Sequence, residues 1–344
     1  MLTQRERFAN ALKEQHRLLF DYDRKCLKEQ YAQYISCPVC DSSESVLLFE
    51  KDWFRFVKCK NCSMVYLNPR LNDEATYAFY NSDVNSIYNE SKFDTVSNST
   101  ILDDKINFSN LVLIENRRHA NVKGNLLEIG SAKGYFLMRA RELGYSVYGI
   151  ELNKKNFLLS RNTLGGNIKN VDLFEARFSD NMFDVIYMRD VIEHIPDPKP
   201  FLRELHRIAR KGCLLFLETH NIEGLIHQIV RERHTVIFGF EHPNHWSPDT
   251  LERVLRLTGF DVRDVVHKSL DFTVRSIIGY FLASSFTTVY PRQSSDGRRL
   301  FLRILRKPFT LWPVSYLDSK VTPQIANWLK CGSVIKVMAK KKGQ

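Results

Sequence analysis

Residues 125–153 read NLLEIGSAKGYFLMRARELGYSVYGIELN, and this stretch decides the fold of the chain. It begins with a short apolar run that ends at Gly130, which predicts a strand buried on both faces of a parallel sheet. Gly130 and Gly134 allow a tight turn before a helix, where backbone N–H groups can approach a ligand. A second strand over 146–150 ends at Glu151. Strand, turn, helix and strand make one right-handed βαβ unit with a ligand site at its mouth.

The glycine turn indicates a nucleotide-type ligand but leaves two classes open. A carboxylate at Glu151 can accept hydrogen bonds from both hydroxyls of a ribose, and NAD folds usually keep G-x-G-x-x-G. Here the pattern is Glu128-x-Gly130-x-Ala132-x-Gly134. This resembles the first motif of class I S-adenosylmethionine (SAM) methyltransferases, with Ala132 at the usual middle glycine. The resemblance implies that these four residues and Glu151 bind SAM.

Length and composition limit the class of protein. The 344 residues suffice for one large α/β domain and a smaller attachment. Apolar residues make up 44%, and no run reaches the roughly 18 uninterrupted apolar residues of a membrane span. Since the charged start has no signal-peptide apolar region, we expect a cytoplasmic enzyme.

Positive charge is concentrated near the end of the chain. Of the net charge of +11, residues 291–344 contribute an excess of ten, from twelve Lys and Arg against two Asp. Such a region attracts phosphates of nucleic acid, anionic lipid or a sugar nucleotide, and a solvated basic surface is the alternative. An anionic membrane contacted from the cytoplasm is therefore one candidate partner.

Two C-x2-C pairs predict a zinc site. Cys37 and Cys40 are separated from Cys59 and Cys62 by eighteen residues. Each pair offers two thiolates to one tetrahedral ion, and the residues between the pairs predict two short strands of a zinc ribbon. Four cysteine ligands leave no open coordination position, so the predicted zinc is structural.

Further strands place more polar residues at the same edge of the sheet. A third strand over 167–171 is followed by Asp172, and a fourth over 183–188 leads into RDVIEHIPDP at 189–198. That segment resembles the D-V-x-E-H-x-x-D-P segment of many small-molecule methyltransferases. Asp172, at the end of the third strand, resembles the family position whose acid accepts a hydrogen bond from the adenine amino group, which implies that role here.

The same segment carries the first catalytic candidates. By the resemblance Arg189 binds the donor, while Asp190 and His194 face the transferred methyl. Because these two are four residues apart, we expect them to share one side of a helical turn. A histidine titrates near the working pH, so His194 is the first candidate for a base that takes a proton from an acceptor hydroxyl.

A later loop supplies two more histidines. Residues 240–248 read FEHPNHWSP and resemble the E-H-x-x-H-x-S segment of the same methyltransferases, which lies beside the acceptor. The resemblance implies catalytic roles for His242 and His245. A sixth strand opens at 259–262, and residues 332–339 resemble the antiparallel closing strand of the family.

The predicted fold is therefore α/β, a doubly wound, seven-stranded, mostly parallel sheet with an N-terminal zinc ribbon. The expected parts are a helical segment (1–36), the ribbon (37–70), connecting helices (71–120), the SAM-binding core (121–265), an insertion or lid (266–330), and a closing strand with a basic tail (331–344).

The chain resembles zinc-ribbon-bearing methyltransferases of sugar and glycan modification, including deoxysugar C-methyltransferases. We therefore expect transfer of a methyl group to a small-molecule or glycan acceptor, at a sugar hydroxyl or carbon. A ribosomal or transfer RNA methyltransferase is the second hypothesis, because the ribbon and the basic tail would suit phosphate contacts. A non-catalytic SAM-binding scaffold is the third.

Overall fold

The computed structural model describes residues 4–80, 82, 84, 87, 124–234, 236–268, 324, 328–329 and 331–342. Most of the predicted connecting helices and nearly all of the predicted insertion lie outside these residues. The six-part division of the chain stays a prediction. None of the helices in the described ranges combines the length and apolar character needed to cross a bilayer.

The elements follow one another along the chain in this order: α1 (Gln4–Leu19), β1 (Phe20–Asp21), β2 (Cys26–Leu27), β3 (Ala32–Gln33), β4 (Ser45–Lys51), β5 (Phe54–Cys59), β6 (Val65–Leu67), β7 (Arg70–Leu71), α2 (Asp73–Tyr80), β8 (Asn125–Ile129), α3 (Tyr135–Glu142), β9 (Ser146–Ile150), α4 (Lys154–Leu164), β10 (Ile168–Lys169), β11 (Phe183–Arg189), α5 (Pro198–Ile208), β12 (Ala209–His220), α6 (Leu225–Val230), β13 (Asn244–His245), α7 (Pro248–Leu257), β14 (Phe260–Lys268) and β15 (Val334–Lys341).

The chain divides into two compact units. The ribbon unit contains Met1–Phe93, His220–Ser247 and Val266–Ile335, and the sheet unit contains Asp94–Thr219, Pro248–Val265 and Lys336–Gln344. Each unit has its own apolar core, because each buries a separate cluster of large side chains.

The ribbon unit is built on a four-stranded antiparallel sheet in the order β13-β6-β5-β4. The predicted ribbon strands over 46–49 and 54–58 correspond to β4 and β5. Strand β13 comes from far along the chain, where Asn244 pairs with Tyr66 and His245 with Val65. The core beside this sheet is aromatic, and its buried rings belong to Phe20, Phe54, Phe56, Phe79, Phe238 and Phe240.

The sheet unit confirms the predicted fold class. Its seven strands lie in the order β10-β9-β8-β11-β12-β15-β14, and the neighbours from β10 to β12 are parallel. Lys342, just after β15, donates its N–H to Gly259 O before β14 at 3.2 Å, and the Lys341 ammonium contacts Ala209 O at the start of β12. Strand β15 therefore runs opposite to both neighbours.

Two helices follow their apolar spacing and cover this sheet. In α5 the buried positions Phe201, Leu202, Leu205 and Ile208 recur at helical spacing, and Pro198 begins the helix. In α7 the buried face is formed by Thr250, Leu251, Val254 and Leu255. Pro248 is the first residue of this helix.

The predicted helical segment over 1–36 is α-helical only as far as Leu19. Helix α1 ends there, and a short hairpin of β1 and β2 follows. The Asp21 carboxylate accepts the N–H groups of Asp23 and Arg24 at 2.9 and 3.0 Å, and Lys25 has a φ of 52°. Such an Asp-centred turn competes with helix for the backbone donors.

Candidate active site

The glycine turn after β8 has the backbone that the sequence predicts. Gly130 and Gly134 have φ values of 71° and 77°, and Ala132 between them has a φ of 47°. A Cβ atom at Gly130 would lie 2.9 Å from Val191 Cγ2, so this close approach requires glycine. Ala132 keeps the left-handed conformation that a glycine would adopt more readily.

Glu151 holds this turn through its carboxylate. Its Oε2 accepts the Ala132 N–H at 2.7 Å, and its Oε1 accepts the Asn153 N–H at 2.7 Å. The side chain is only 8% exposed. Charge-assisted bonds to backbone N–H groups are short and strong, so Glu151 fixes the turn and the start of α4 together.

The glycine turn and Glu151 offer hydrogen-bonding groups that suit a bound SAM. A carboxylate at the end of β9 and backbone N–H groups at the start of α3 are the groups that hold a ribose and a charged ligand tail. Glu128 lies in β8 opposite Tyr187 and Gly149 and is buried. These five assignments of donor-binding residues stay predictions.

Asp172 occupies an exposed turn after the short strand β10. Its Oδ1 accepts the Glu175 N–H at 2.7 Å, and its N–H donates to the Glu175 carboxylate at 3.2 Å. This reciprocal pair resembles a capping box and gives Asp172 a local structural role. Its predicted contact with adenine stays a prediction.

A group of charges, buried or partly buried except for Asp190, lies at the carboxyl ends of β11 and β12. Arg189 Nε lies 3.1 Å from Glu218 Oε1 and 3.5 Å from Asp190 Oδ2. Lys336 Nζ lies 2.9 Å from the other Glu218 oxygen. Glu218 is 2% exposed, so its charge is stabilised by these two cations.

Burial raises the pKa of Tyr187 well above its ordinary value, and the nearby Glu218 charge adds to this rise. The phenol is therefore neutral and does not serve as a base. Sequence reasoning missed Glu218 and Lys336. In the sequence, Glu218 directly follows an apolar run of residues, which is the same signal that indicated Glu151.

Asp190 and His194 do not share a helical turn, so that prediction is wrong. Asp190 has a φ of 52° directly after β11, and Val191 has a φ of −128°. Only Ile192–His194 forms a 3-10 turn, in which the His194 N–H donates to Val191 O at 2.9 Å. The left-handed residue breaks the helix. His194 is half-buried and lies at the edge that carries the glycine turn.

His242 lies in the ribbon unit and has a defined ring orientation. Its Nδ1 is 2.7 Å from Val236 O. Because a carbonyl only accepts, Nδ1 carries the proton in the neutral ring and Nε2 keeps its lone pair. This tautomer leaves Nε2 as the atom that could accept a proton.

His245 is completely buried in β13 and belongs to a cluster of histidines that sequence reasoning missed. Its Nδ1 lies 3.2 Å from His220 Nε2, and the rings of His227 and His234 stack at 3.9 Å. Burial, followed by neighbouring histidines, lowers the pKa of His227 and His245 well below the ordinary value. Burial likewise lowers the pKa of His234 to about 3. These three rings are neutral at pH 7.

The four predicted zinc ligands come together in the ribbon unit. Their sulfur atoms lie within 4.8 Å of one another, with Cys37 and Cys62 at 3.5 Å and Cys40 and Cys59 at 3.6 Å. Zinc–sulfur bonds of 2.3 Å in a tetrahedron require sulfur separations of about 3.8 Å. The cluster therefore fits one ion.

The two cysteine turns have matching backbones. Asp41 donates its N–H to Cys37 O and Ser63 donates its N–H to Cys59 O, both at 3.0 Å. Both Asp41 and Ser63 have left-handed φ values, of 61° and 64°. All four thiols would be ligands, so zinc here would supply stability and no chemistry.

Comparison with known proteins agrees with this geometry. Residues 104–265 match a family model described as a methyltransferase domain. Over these residues the chain carries a methyltransferase domain. SAM is the cofactor of methyltransferases of this kind, which favours SAM over NAD as the ligand of the chain, and the placement of SAM at the glycine turn stays a prediction.

Relatives of this methyltransferase include two named ubiquinone biosynthesis O-methyltransferase. The one from Nitrosospira multiformis is 26% identical over 44% of this chain and 69% of its own length. The one from Sinorhizobium fredii is 27% identical over 40% of this chain and 60% of its own length. The similarity thus spans less than two thirds of the second relative.

Solved structures include a SAM-dependent methyltransferase, described as a possible histamine N-methyltransferase, from Thermotoga maritima. It is 17% identical, and the similarity covers 69% of this chain and 92% of that chain with a TM-score of 0.41. The fold assignment for this methyltransferase rests instead on the strand order of its own seven-stranded sheet.

Proposed function

We propose that this methyltransferase transfers the methyl group of SAM to a hydroxyl oxygen of a small-molecule acceptor. The observation that carries the proposal is the pair of hydrogen bonds that the Glu151 carboxylate accepts from backbone N–H groups. They fix the glycine turn at the carboxyl edge of the parallel sheet. The names of the two relatives support an oxygen acceptor. When bound, SAM supplies a methyl group on a positively charged sulfur.

The residues of the chain have three tasks in such a transfer. Glu151 and the turn hold the donor. Holding donor and acceptor at attack distance accounts for roughly 7–11 kcal/mol of barrier. The acceptor O–H proton must leave as the new C–O bond forms and the sulfur–carbon bond breaks, and we assign its removal to His194, with His242 as the second candidate. Asp190 beside Arg189 sets the charge near His194.

A glycan acceptor is the second candidate, and the zinc-type cysteine cluster favours it, because the sequence resembles ribbon-bearing sugar methyltransferases. RNA is a weaker candidate partner. Contact of the basic C-terminal region with an anionic membrane, from the cytoplasmic side, is a further proposal. Of that region the structure describes the side chains of Lys336, Lys340, Lys341 and Lys342.

The test is transfer of labelled methyl from SAM to three acceptor sets: hydroxylated ubiquinone precursors, sugar nucleotides and transfer RNA. We expect turnover with a small-molecule set, lowered about a hundredfold or more in His194→Gln because a general base contributes that much. His206→Gln, in α5 of the same unit, is the matched control and should keep most activity.

Methylation of RNA alone would contradict the small-molecule assignment. Tight SAM binding without turnover on any set would favour the scaffold hypothesis. Full activity of His194→Gln with loss in His242→Gln would transfer the role of base to His242.

A further inference from the structure

The sheet unit has a second concave site, at the end of the sheet opposite the glycine turn. This basic cavity has a volume of about 380 Å³. It lies where β12 and β14 begin and β15 ends. Lys211 and Glu218 are seven positions apart in β12 and therefore lie roughly 23 Å apart at 3.3 Å per residue, so the cavity is separate from the charges beside Arg189. The charged residues that line it are Lys211, Asp261, Arg263, Lys340, Lys341 and Lys342.

The lining carries five cations and one acid, a net charge of +4. The single carboxylate, Asp261, is already engaged by Arg256 at 3.2 Å and by Arg263 at 3.0 Å. Within the described ranges, neither Lys340 nor Lys342 has an ion-pair partner. The cations therefore repel one another, and a bound anion would relieve that repulsion.

Two arginines of the same unit that lie outside the cavity are paired with carboxylates. Arg207 contacts Glu204 and Asp180, and Arg210 Nη1 lies 2.7 Å from Asp184. The unit thus has carboxylates available elsewhere. The positive excess at the basic cavity is a local feature of the strand ends.

Lys341 is held in place by groups of the same unit. The Lys341 ammonium donates to Asn181 Oδ1 at 3.0 Å and to Ala209 O at 2.7 Å, which uses two of its three protons. A Cβ atom at Gly212 would lie 3.4 Å from Lys340 Cε, an ordinary van der Waals contact, so the Lys340 side chain lies along the wall beside Gly212. A pre-organised set of charges binds an anion with a smaller entropy cost.

The charge and the volume indicate the class of ligand. A guanidinium fork and several ammonium groups recognise phosphate oxygens well. A net charge of +4 favours an anion with three or four negative charges over a monovalent one. The volume lies within the range of roughly 300–1,000 Å³ of small-molecule sites.

We propose that the basic cavity is a binding site for a diphosphate group, carried by a soluble small molecule or by a lipid head group. It would bind at the amino ends of the parallel strands, independently of donor and acceptor. The site is therefore suited to an effector or an anchoring ligand rather than to a substrate of methyl transfer.

The test is calorimetric titration of the full chain with inorganic pyrophosphate and with inorganic phosphate. We expect saturable pyrophosphate binding, tighter than phosphate, and weakened roughly tenfold or more in the double variant Arg263→Ala/Lys340→Ala, which removes two charges. The control Arg55→Ala/Lys60→Ala removes the same charge from exposed positions of the ribbon unit and should bind normally. Unchanged binding of S-adenosylhomocysteine shows that each variant is folded.

Vesicles identify the source of the anion. Flotation with vesicles that contain a prenyl diphosphate lipid, competed away by pyrophosphate, would assign a lipid head group, whereas pyrophosphate binding without flotation would assign a soluble ligand. Absence of saturable pyrophosphate binding, or equal weakening in both double variants, would overturn the proposal.

Discussion

Replacement of Cys59 by serine is expected to abolish zinc binding and to unfold the four-stranded sheet of the ribbon unit. Cys59 is the last residue of β5 and is 1% exposed, and its Sγ lies 3.6 Å from Cys40 Sγ. Structural zinc supplies on the order of 10–16 kcal/mol in small modules. Three remaining thiolates leave the ion without its fourth ligand, so most of that free energy is lost.

The measurement is zinc content per chain by mass spectrometry, with thermal unfolding on the same samples. We expect one zinc in the wild type and in the control Cys26→Ser, which lies outside the cluster. The Cys59→Ser protein should hold almost no zinc. Its thermal unfolding should no longer show a transition for the ribbon unit, because that unit is already unfolded. Equal zinc content in the two variants, or a zinc-free protein of unchanged stability, would show that the cluster has no metal role.

Lowering the pH from 7.5 to 5.5 is expected to destabilise the ribbon unit by about 4 kcal/mol through three buried histidines. The pKa values of His227, His234 and His245 are all lowered by burial in the folded chain. Between the ordinary pKa near 6.5 and the lowered ones, only the unfolded chain binds these protons. Stability is therefore full above about pH 6.5 and is lost as the pH falls, at about 1.4 kcal/mol per histidine at pH 5.5.

The variant His234→Asn separates this effect from general acid destabilisation. His234 Nδ1 accepts the Val236 N–H at 3.2 Å, and an asparagine carbonyl can replace that acceptor. We expect the pH dependence of the free energy of unfolding, followed by fluorescence of the buried Trp246, to flatten by about a third in the variant. Identical pH dependence in both proteins would contradict the assignment to His234.

The local elements of the donor site could be predicted from sequence because their causes are local. Gly130 and Gly134 adopt the left-handed backbone that only glycine accepts freely, and Glu151 directly follows an apolar strand. The zinc ribbon was equally predictable, because two C-x2-C pairs at this spacing are the usual ligand pattern of one zinc ion.

The contacts between distant segments could not be predicted in this way. Glu218 meets Lys336 across more than a hundred residues, and β13 is a two-residue strand whose place is fixed by pairing with β6. Neither arrangement leaves a periodic signal in the chain. Asp190 shows that a local signal can also mislead. Its spacing of four residues from His194 predicted a shared helical turn, but Asp190 has a left-handed backbone conformation that prevents a helix from starting there.

Calorimetric titration with S-adenosylhomocysteine tests the central claim, that the Glu151 turn binds the methyl donor. The account predicts micromolar-range binding by the wild type and by Glu142→Ala, which removes an exposed glutamate from α3. Glu151→Ala, still folded by circular dichroism, should bind about a hundredfold more weakly, because about 3 kcal/mol of hydrogen bonding to a charged group is lost. Absence of binding by the folded, zinc-loaded wild type, or undiminished binding by Glu151→Ala, would contradict it.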